Sequence, residues 1–323
     1  MGATFSAPSP DAHTSSKVDV TGNIDLENPR AVLAAIEALF DRRFGCDWPR
    51  EALARAMTEV VCAYAGDYPG LLGCDTPYHD LRHTLDVTLA MARIIDGHEA
   101  SGLRQGAPLG GELATVGVLL ALFHDIGYLR QTGEENLIGA QLVSGHELRG
   151  AEFAAAFFRR AGLAPHVPLA RLIMATAFKE NLDALFAAHH DEAVSLACMI
   201  ASADLLSQLA DRCYPERCRD FLFPEFVDGG LDRSVESNGV ERVHYASAED
   251  LLRKTPGFLE SVVVNRLEHD LRGVYRYLED HFSGQNLYLN AMFSTITFLK
   301  EVVHSDDFSR LRRQPQPLYC AHP

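Results

Sequence analysis

The chain has 323 residues and a formal charge of −15, from 29 Lys and Arg against 44 Asp and Glu. An acidic surface repels phosphate backbones and anionic bilayers, which argues against non-specific nucleic-acid binding and membrane-surface association. The apolar fraction of 47% can fill a sizeable core, and the length suits one large domain or two small ones.

Residues 1–28 are rich in Ser, Thr, Pro, Asp and Asn without an apolar period, and read as a disordered leader. Met1-Gly2 followed by Ser6 fits a loose myristoylation pattern, but an unmodified start is the simpler reading. From Pro29 the pattern turns helical. Ala31, Leu33, Ile36, Leu39 and Phe40 share one face of a first helix ending near Phe44-Gly45. Further helices fit about 50–65, 80–97, 113–125, 134–162, 166–185, 191–212, 248–283 with a break at Thr255-Pro256, and 286–303. Leu113 to Asp125 is nearly all apolar, which predicts a helix buried on every side. Strand signals are scarce. The polar stretch 227–246 reads as an irregular insertion, either a cover for a site or a surface loop. After Arg312 the chain reads as a flexible tail, 313–323. The expectation is one all-α domain over 29–312.

No run of 18 or more apolar residues appears, so no membrane span is expected. The seven cysteines, at 46, 62, 74, 198, 213, 218 and 320, are odd in number and irregularly spaced, with no C-x-x-C pair. That usage fits reduced thiols in a cytoplasmic protein.

Most of the 14 histidines look ordinary. His98, His189, His190, His244, His269, His281 and His304 are expected to face water, His166 to lie on a surface loop, and His13 and His322 to lie in the tails. Four stand apart. His79 and His83 are four residues apart, on one helix face and about 6 Å apart along the axis. Such a pair can serve a metal and an adjacent reacting atom, or simply be two solvated histidines. His124-Asp125 ends the unbroken apolar run Val116 to Phe123. Burying that pair is costly unless a divalent cation or a mutual hydrogen bond compensates. Asp204, among Ala203 and Leu205 on a helix, asks for a cation or a basic partner. His146 opens a helix in Gly145-His146-Glu147 and fits either a ligand or a partly exposed histidine.

His83, His124-Asp125 and Asp204, in that order on helices, resemble the HD superfamily of metal-dependent phosphohydrolases. The resemblance spans residues 78 to about 212. Tyr78-His79-Asp80-Leu81-Arg82-His83-Thr84-Leu85-Asp86-Val87 is similar to the Y-H-N-x-x-H-A-x-D-V signature of class I cyclic-nucleotide phosphodiesterases, with Asp80 and Thr84 departing from it. Asp125 is followed by Ile126-Gly127-Tyr128, closer to bacterial HD proteins, and the purine-clamping glutamine has no placed counterpart.

The resemblance implies an HD-type helical bundle and hydrolysis of a phosphoester, a cyclic nucleotide or related phosphodiester, by a metal-activated water. His83, His124, Asp125 and Asp204 would hold one divalent ion. Asp125 and His146 would serve a second, and His79 would act as general acid. Mn, Fe, Mg, Co and Zn all suit such ligands. Lys179 and Arg82 are candidate phosphate contacts. The alternatives are an HD-type di-iron oxygenase and a non-catalytic HD sensor or binding module.

Overall fold

A computed structural model describes residues 17–102, 107–236 and 239–320. Over these residues the protein is an all-α domain with one short hairpin. The helices are α1 (Pro29–Phe44), α2 (Arg50–Ala65), α3 (Leu81–Ala100), α4 (Gly110–Phe123), α5 (His146–Arg160), α6 (Leu182–Ala187), α7 (Asp191–Ala210), α8 (Tyr214–Arg217), α9 (Phe223–Asp228), α10 (Ala248–Phe258), α11 (Tyr277–His281) and α12 (Leu287–Ser305). Local chemistry sets several ends. The Asn28 side chain accepts from the amides of Arg30 and Ala31, with Pro29 at the first position of α1. The Asp80 carboxylate accepts from the His83 amide and starts α3.

The centre of the domain is α3, packed against α1, α4, α7 and α11. Every residue from Leu81 to His98 is buried, although six of them are Arg, His or Asp. Those charges are met from several directions. Arg82 donates to Asp211, Arg93 to Asp19 and Tyr288, and Asp96 accepts from Arg42, Arg43 and His281. His98 and His281 therefore do not face water as expected: they are buried or nearly so, paired with Glu99 and Asp96. As expected, α4 is buried all round from Ala114 to Phe123.

Several expected helices are interrupted. The 134–162 pattern resolves into a 3-10 turn, Gly139–Leu142, followed by α5. Much of 166–185 is 3-10 helix, Ala164–Thr176, because Pro165 and Pro168 supply no amide donor. Pro256 lies inside α10 and does not break it; π turns at Leu259–Val263 and Arg266–Asp270 follow. The chain turns instead at Gly273, whose φ is 65°. In the 227–246 insertion, Arg233–Val235 pairs antiparallel with Glu241–Val243, and all six residues are exposed. Ser237 and Asn238 lie outside the described residues.

The expected boundaries need correction at both ends. Residues 17–28 are not a loose leader: Leu26 is buried, Val18 bridges Asp25, and Asp19 is fully buried against Arg93. The tail is held to residue 320. The Leu318 amide donates to Asp80, the Arg313 amide to Glu216, and Cys320 bridges Cys74. Composition misled at both ends because each segment docks through a few apolar residues, such as Val20, Ile24, Leu26 and Leu318, together with polar contacts, and so short a set shows no apolar period. The myristoylation pattern, His13 and His322 lie outside the described residues.

Gly110–Tyr128 and Asp191–Ala210 are long and apolar enough to cross a membrane, but 83% of each window is buried inside the fold. They are the walls of the core.

Removing the Asp19 carboxylate leaves the buried Arg93 guanidinium with the Tyr288 hydroxyl, ring contacts and the field of Asp86, but no direct ion pair among the described residues. We expect Asp19→Ala to destabilise the protein by about 3 kcal/mol in urea denaturation. Burial opposes ionisation of Asp19, but Arg93 outweighs it and holds the pKa below the usual value. The stabilisation is therefore present above the unfolded carboxylate pKa and fades as pH falls through the lower folded value. At neutral pH the variant shows the full loss.

Candidate metal centre

Four helices converge on one point. The first turn of α3 brings His83, the C-terminal end of α4 brings His124 and Asp125, the first residue of α5 is His146, and the middle of α7 carries Asp204. Two glycines allow this. A Cβ on Gly127 would fall 1.9 Å from the His146 carbonyl oxygen, and one on Gly150 would fall 2.8 Å from the carbonyls of Phe123 and His124. Bare backbone at both positions lets α5 press against the end of α4, which delivers His146 to Asp125.

His83, His124 and Asp125 present ligand atoms that all lie within 4.8 Å of one another, and all three residues are buried. Asp125 Oδ2 is 3.2 Å from His83 Nε2 and 3.1 Å from His124 Nε2. Asp204 Oδ1 is 3.4 Å from His83 Nε2 and 3.8 Å from His124 Nε2. On the other side, Asp125 Oδ1 is 3.6 Å from His146 Nε2. The site therefore gathers all five residues expected as ligands, with Asp125 at the centre.

This group fits a cation. Despite these short separations, His124 Nε2 and Asp125 Oδ2 have no hydrogen-bond partner of acceptable geometry. Orphaned atoms at such depth are costly, and a cation between them removes the cost. The outer contacts prepare the donors. His124 Nδ1 donates to the Ala121 carbonyl at 2.7 Å and His146 Nδ1 to the Val143 carbonyl at 3.0 Å. Each Nε2 is thereby the nitrogen turned toward Asp125 and, once deprotonated, the one able to ligate. Gln208 donates to Asp204 Oδ1 at 3.2 Å and accepts from the Tyr78 hydroxyl at 3.0 Å, fixing that carboxylate.

Exposure graded across the site gives it a direction. Side-chain exposure is 1% at His124, 11% at His146, 16% at Asp204 and 19% at His79. His79 thus stands on the solvent side, in the bend before α3 and not on the helix face it was expected to share with His83, because Asp80 caps the helix after it. Its Nδ1 lies 2.6 Å from Glu225 Oε2, and the other Glu225 oxygen accepts from the Tyr78 amide. Its ring stacks on Tyr128 at 4.4 Å, and Tyr128 stacks in turn on His146 at 4.0 Å.

Glu225 and Tyr128 were not singled out from sequence. Glu225 lies 146 residues from His79 on a short helix, and no spacing rule links them. Tyr128 was legible only as the residue completing the turn after His124-Asp125. Arg82 is not a phosphate contact: it is buried and tied to Asp211. Lys179 is exposed.

No family model matches the chain, and no curated protein matches it by sequence.

Burial disfavours a charged His83, but the Asp125 and Asp204 carboxylates outweigh it and raise its pKa to about 10. His146 is held below its usual value, chiefly by burial. In the metal-free protein at neutral pH, His83 therefore keeps a proton that a cation must displace, whereas His146 does not. Against burial, the same carboxylates also raise the His124 pKa, so we expect cation binding near pH 7.5 to release at least one proton per ion, with affinity rising about tenfold or more per pH unit below the His83 pKa. Titration calorimetry in buffers of different ionisation enthalpy measures this. Binding without proton release would contradict a protonated His83 in the cation-free site.

Proposed function

We propose that this protein is a metal-dependent phosphohydrolase of the HD type, acting on a small phosphodiester of nucleotide character. The observation that carries the reading is the pairing of a buried His83–His124–Asp125 group, which could hold a metal ion, with a solvent-side His79 oriented by Glu225. A cation alone is common to many functions. A cation group with a tethered, partly exposed imidazole beside it suits a reaction in which water attacks and an oxygen leaves.

A divalent cation in that group supplies Lewis acidity and lowers the pKa of a water it binds. His83, His124, Asp125 and Asp204 would hold the first ion. Asp125, with its second oxygen turned to His146, would share in holding another. Donors of oxygen and nitrogen without thiolate suit Mn, Fe, Mg, Co or Zn. The Glu225 carboxylate accepts the Nδ1 proton of His79 and fixes the ring, so Nε2 is the nitrogen through which the imidazolium would pass a proton. From the rim, His79 gives that proton to the leaving oxygen, as general-acid catalysis requires. The seven free cysteines suit a reducing compartment, and we place the protein in the cytoplasm on that ground.

The test pairs elemental analysis with turnover. We expect purified protein to carry a divalent transition metal or Mg and to hydrolyse an aryl phosphodiester or a cyclic nucleotide. His124→Ala should lose both metal and turnover. Metal retained with oxygen uptake and no hydrolysis would point to the oxygenase alternative. Metal retained with neither activity would point to a sensor.

His79 and Glu225 are separable from the metal. His79→Ala should lower kcat by about 10²–10⁴-fold on an alkyl ester, with metal content unchanged, and by much less on a nitrophenyl ester that needs no proton to leave. Glu225→Gln should lower kcat by about 10–100-fold with the same leaving-group dependence. An equal loss on both esters would remove the general-acid role.

A further inference from the structure

Cys74 and Cys320 lie 246 positions apart in sequence, yet their sulfurs are 4.0 Å apart. Their backbones pair as a parallel β-bridge, which sets the two side chains next to each other. Adjacent strands run about 4.8 Å apart, within the Cα separation that a disulfide requires. Cys74 is buried and Cys320 is half-buried. The surroundings tie this pair to the loop before α3. Cys74 donates its amide to the Tyr64 carbonyl, and its sulfur touches the His79 carbonyl oxygen at 3.9 Å. Two residues before Cys320, the Leu318 amide donates to Asp80 Oδ2 at 2.8 Å, while Asp80 Oδ1 accepts from the His83 amide. The tail thus rests on the loop that carries His79 and starts the helix of His83.

We propose that Cys74 and Cys320 are a reversible disulfide site that staples the C-terminal segment to the loop bearing His79 and Asp80. Cys320, the more accessible sulfur, reacts first with a small-molecule disulfide such as oxidised glutathione. Its thiolate attacks one sulfur, the S–S bond breaks, and one glutathione thiolate leaves. Cys74 then attacks the Cys320 sulfur of the mixed disulfide, the second glutathione leaves, and the Cys74 proton passes to solvent or to that thiolate. Two electrons move from the two protein thiols to the oxidant, giving two reduced glutathiones. The neighbouring Cys320 and burial raise the Cys74 pKa, which makes Cys74 the poorer first nucleophile and leaves entry to Cys320. In the reduced state the tail is held by non-covalent contacts at Leu311, Arg313 and Leu318. The crosslink replaces that docking with a covalent one.

The experiment uses the full chain, reduced, desalted and then exposed to oxidised glutathione without air. Intact mass should fall by two hydrogens, and a non-reducing peptide map should join the Cys74 and Cys320 peptides. Tm should rise by about 5 °C or more, because the crosslink closes a very long loop, and dithiothreitol should reverse it. Cys320→Ser should show neither the mass loss nor the Tm rise. Cys74→Ser should stop as a glutathione adduct on Cys320; if that variant does not fold, the wild-type map and Cys320→Ser carry the test. A wild-type protein that stops at the adduct, links other cysteines, or links this pair with no rise in Tm overturns the proposal. None of these readouts depends on hydrolytic activity.

Discussion

Everything in this domain is arranged around a charged helix that never meets solvent. From Leu81 to His98, α3 is buried on every side, and its polar residues need partners from elsewhere. Asp80 takes Arg217 from α8, Arg82 takes Asp211, Arg93 takes Asp19 from before α1 and Tyr288 from α12, and Asp96 takes α1 and α11. Such pairs contribute little net stability relative to a well-packed apolar core, because desolvation consumes most of the Coulombic gain. What they give is discrimination. A helix packed in the wrong place would leave a buried charge unpaired, at a cost of several kcal/mol. His83 sits among these locked residues, so its imidazole is placed by the same constraint that orders the bundle.

The metal-competent group extends that logic, with one charge left open. Among the described residues, Asp125 and Asp204 face His83, His124 and His146 without the guanidinium that Asp19, Asp80, Asp96 and Asp211 receive. Protons on imidazole fill the need in part, as the raised His83 value records. A divalent ion fills it better, because it meets the orphaned His124 Nε2 and Asp125 Oδ2 together. Asp86, one turn past His83, marks the limit of the protein's own supply. Burial pushes its pKa up to about 7 despite Arg82, Arg93 and His83, and its Oδ1 has no partner.

What was legible in the sequence follows from range. His83, His124 and Asp125 each sit where a helix period or an apolar run makes a polar residue conspicuous, and the helices carrying them begin and end close to where capping residues and periodicity place them. The same local logic failed where long-range contacts decide. Asp19 reads as part of a polar leader until Arg93, 74 residues on, claims it. Leu318 and Cys320 read as tail until Asp80 and Cys74 hold them. Glu225 is one acid among 44 until the fold brings α9 to His79. The 3-10 segment after Leu163 shows a different failure: the apolar residues are there, but two prolines change the helix that presents them.

The net charge also has a different meaning once carboxylates are located. Among the described residues, nine Asp and Glu are buried, against four Arg. A substantial part of the −15 is therefore interior and does not face an approaching anion. The interior excess of negative charge is offset partly by half-exposed arginines such as Arg43 at the periphery, and partly by protonated histidines. Among the described residues, no arginine forms an ion pair with Asp125, and the group is most exposed on the His79 side. Under the proposed function, an anionic phosphoester arriving there would meet the charge of a bound cation, not the average field of the surface. The acidity that repels polyanions in general would thus be compatible with a small anion at one place, because interior carboxylates would recruit the cation that receives it.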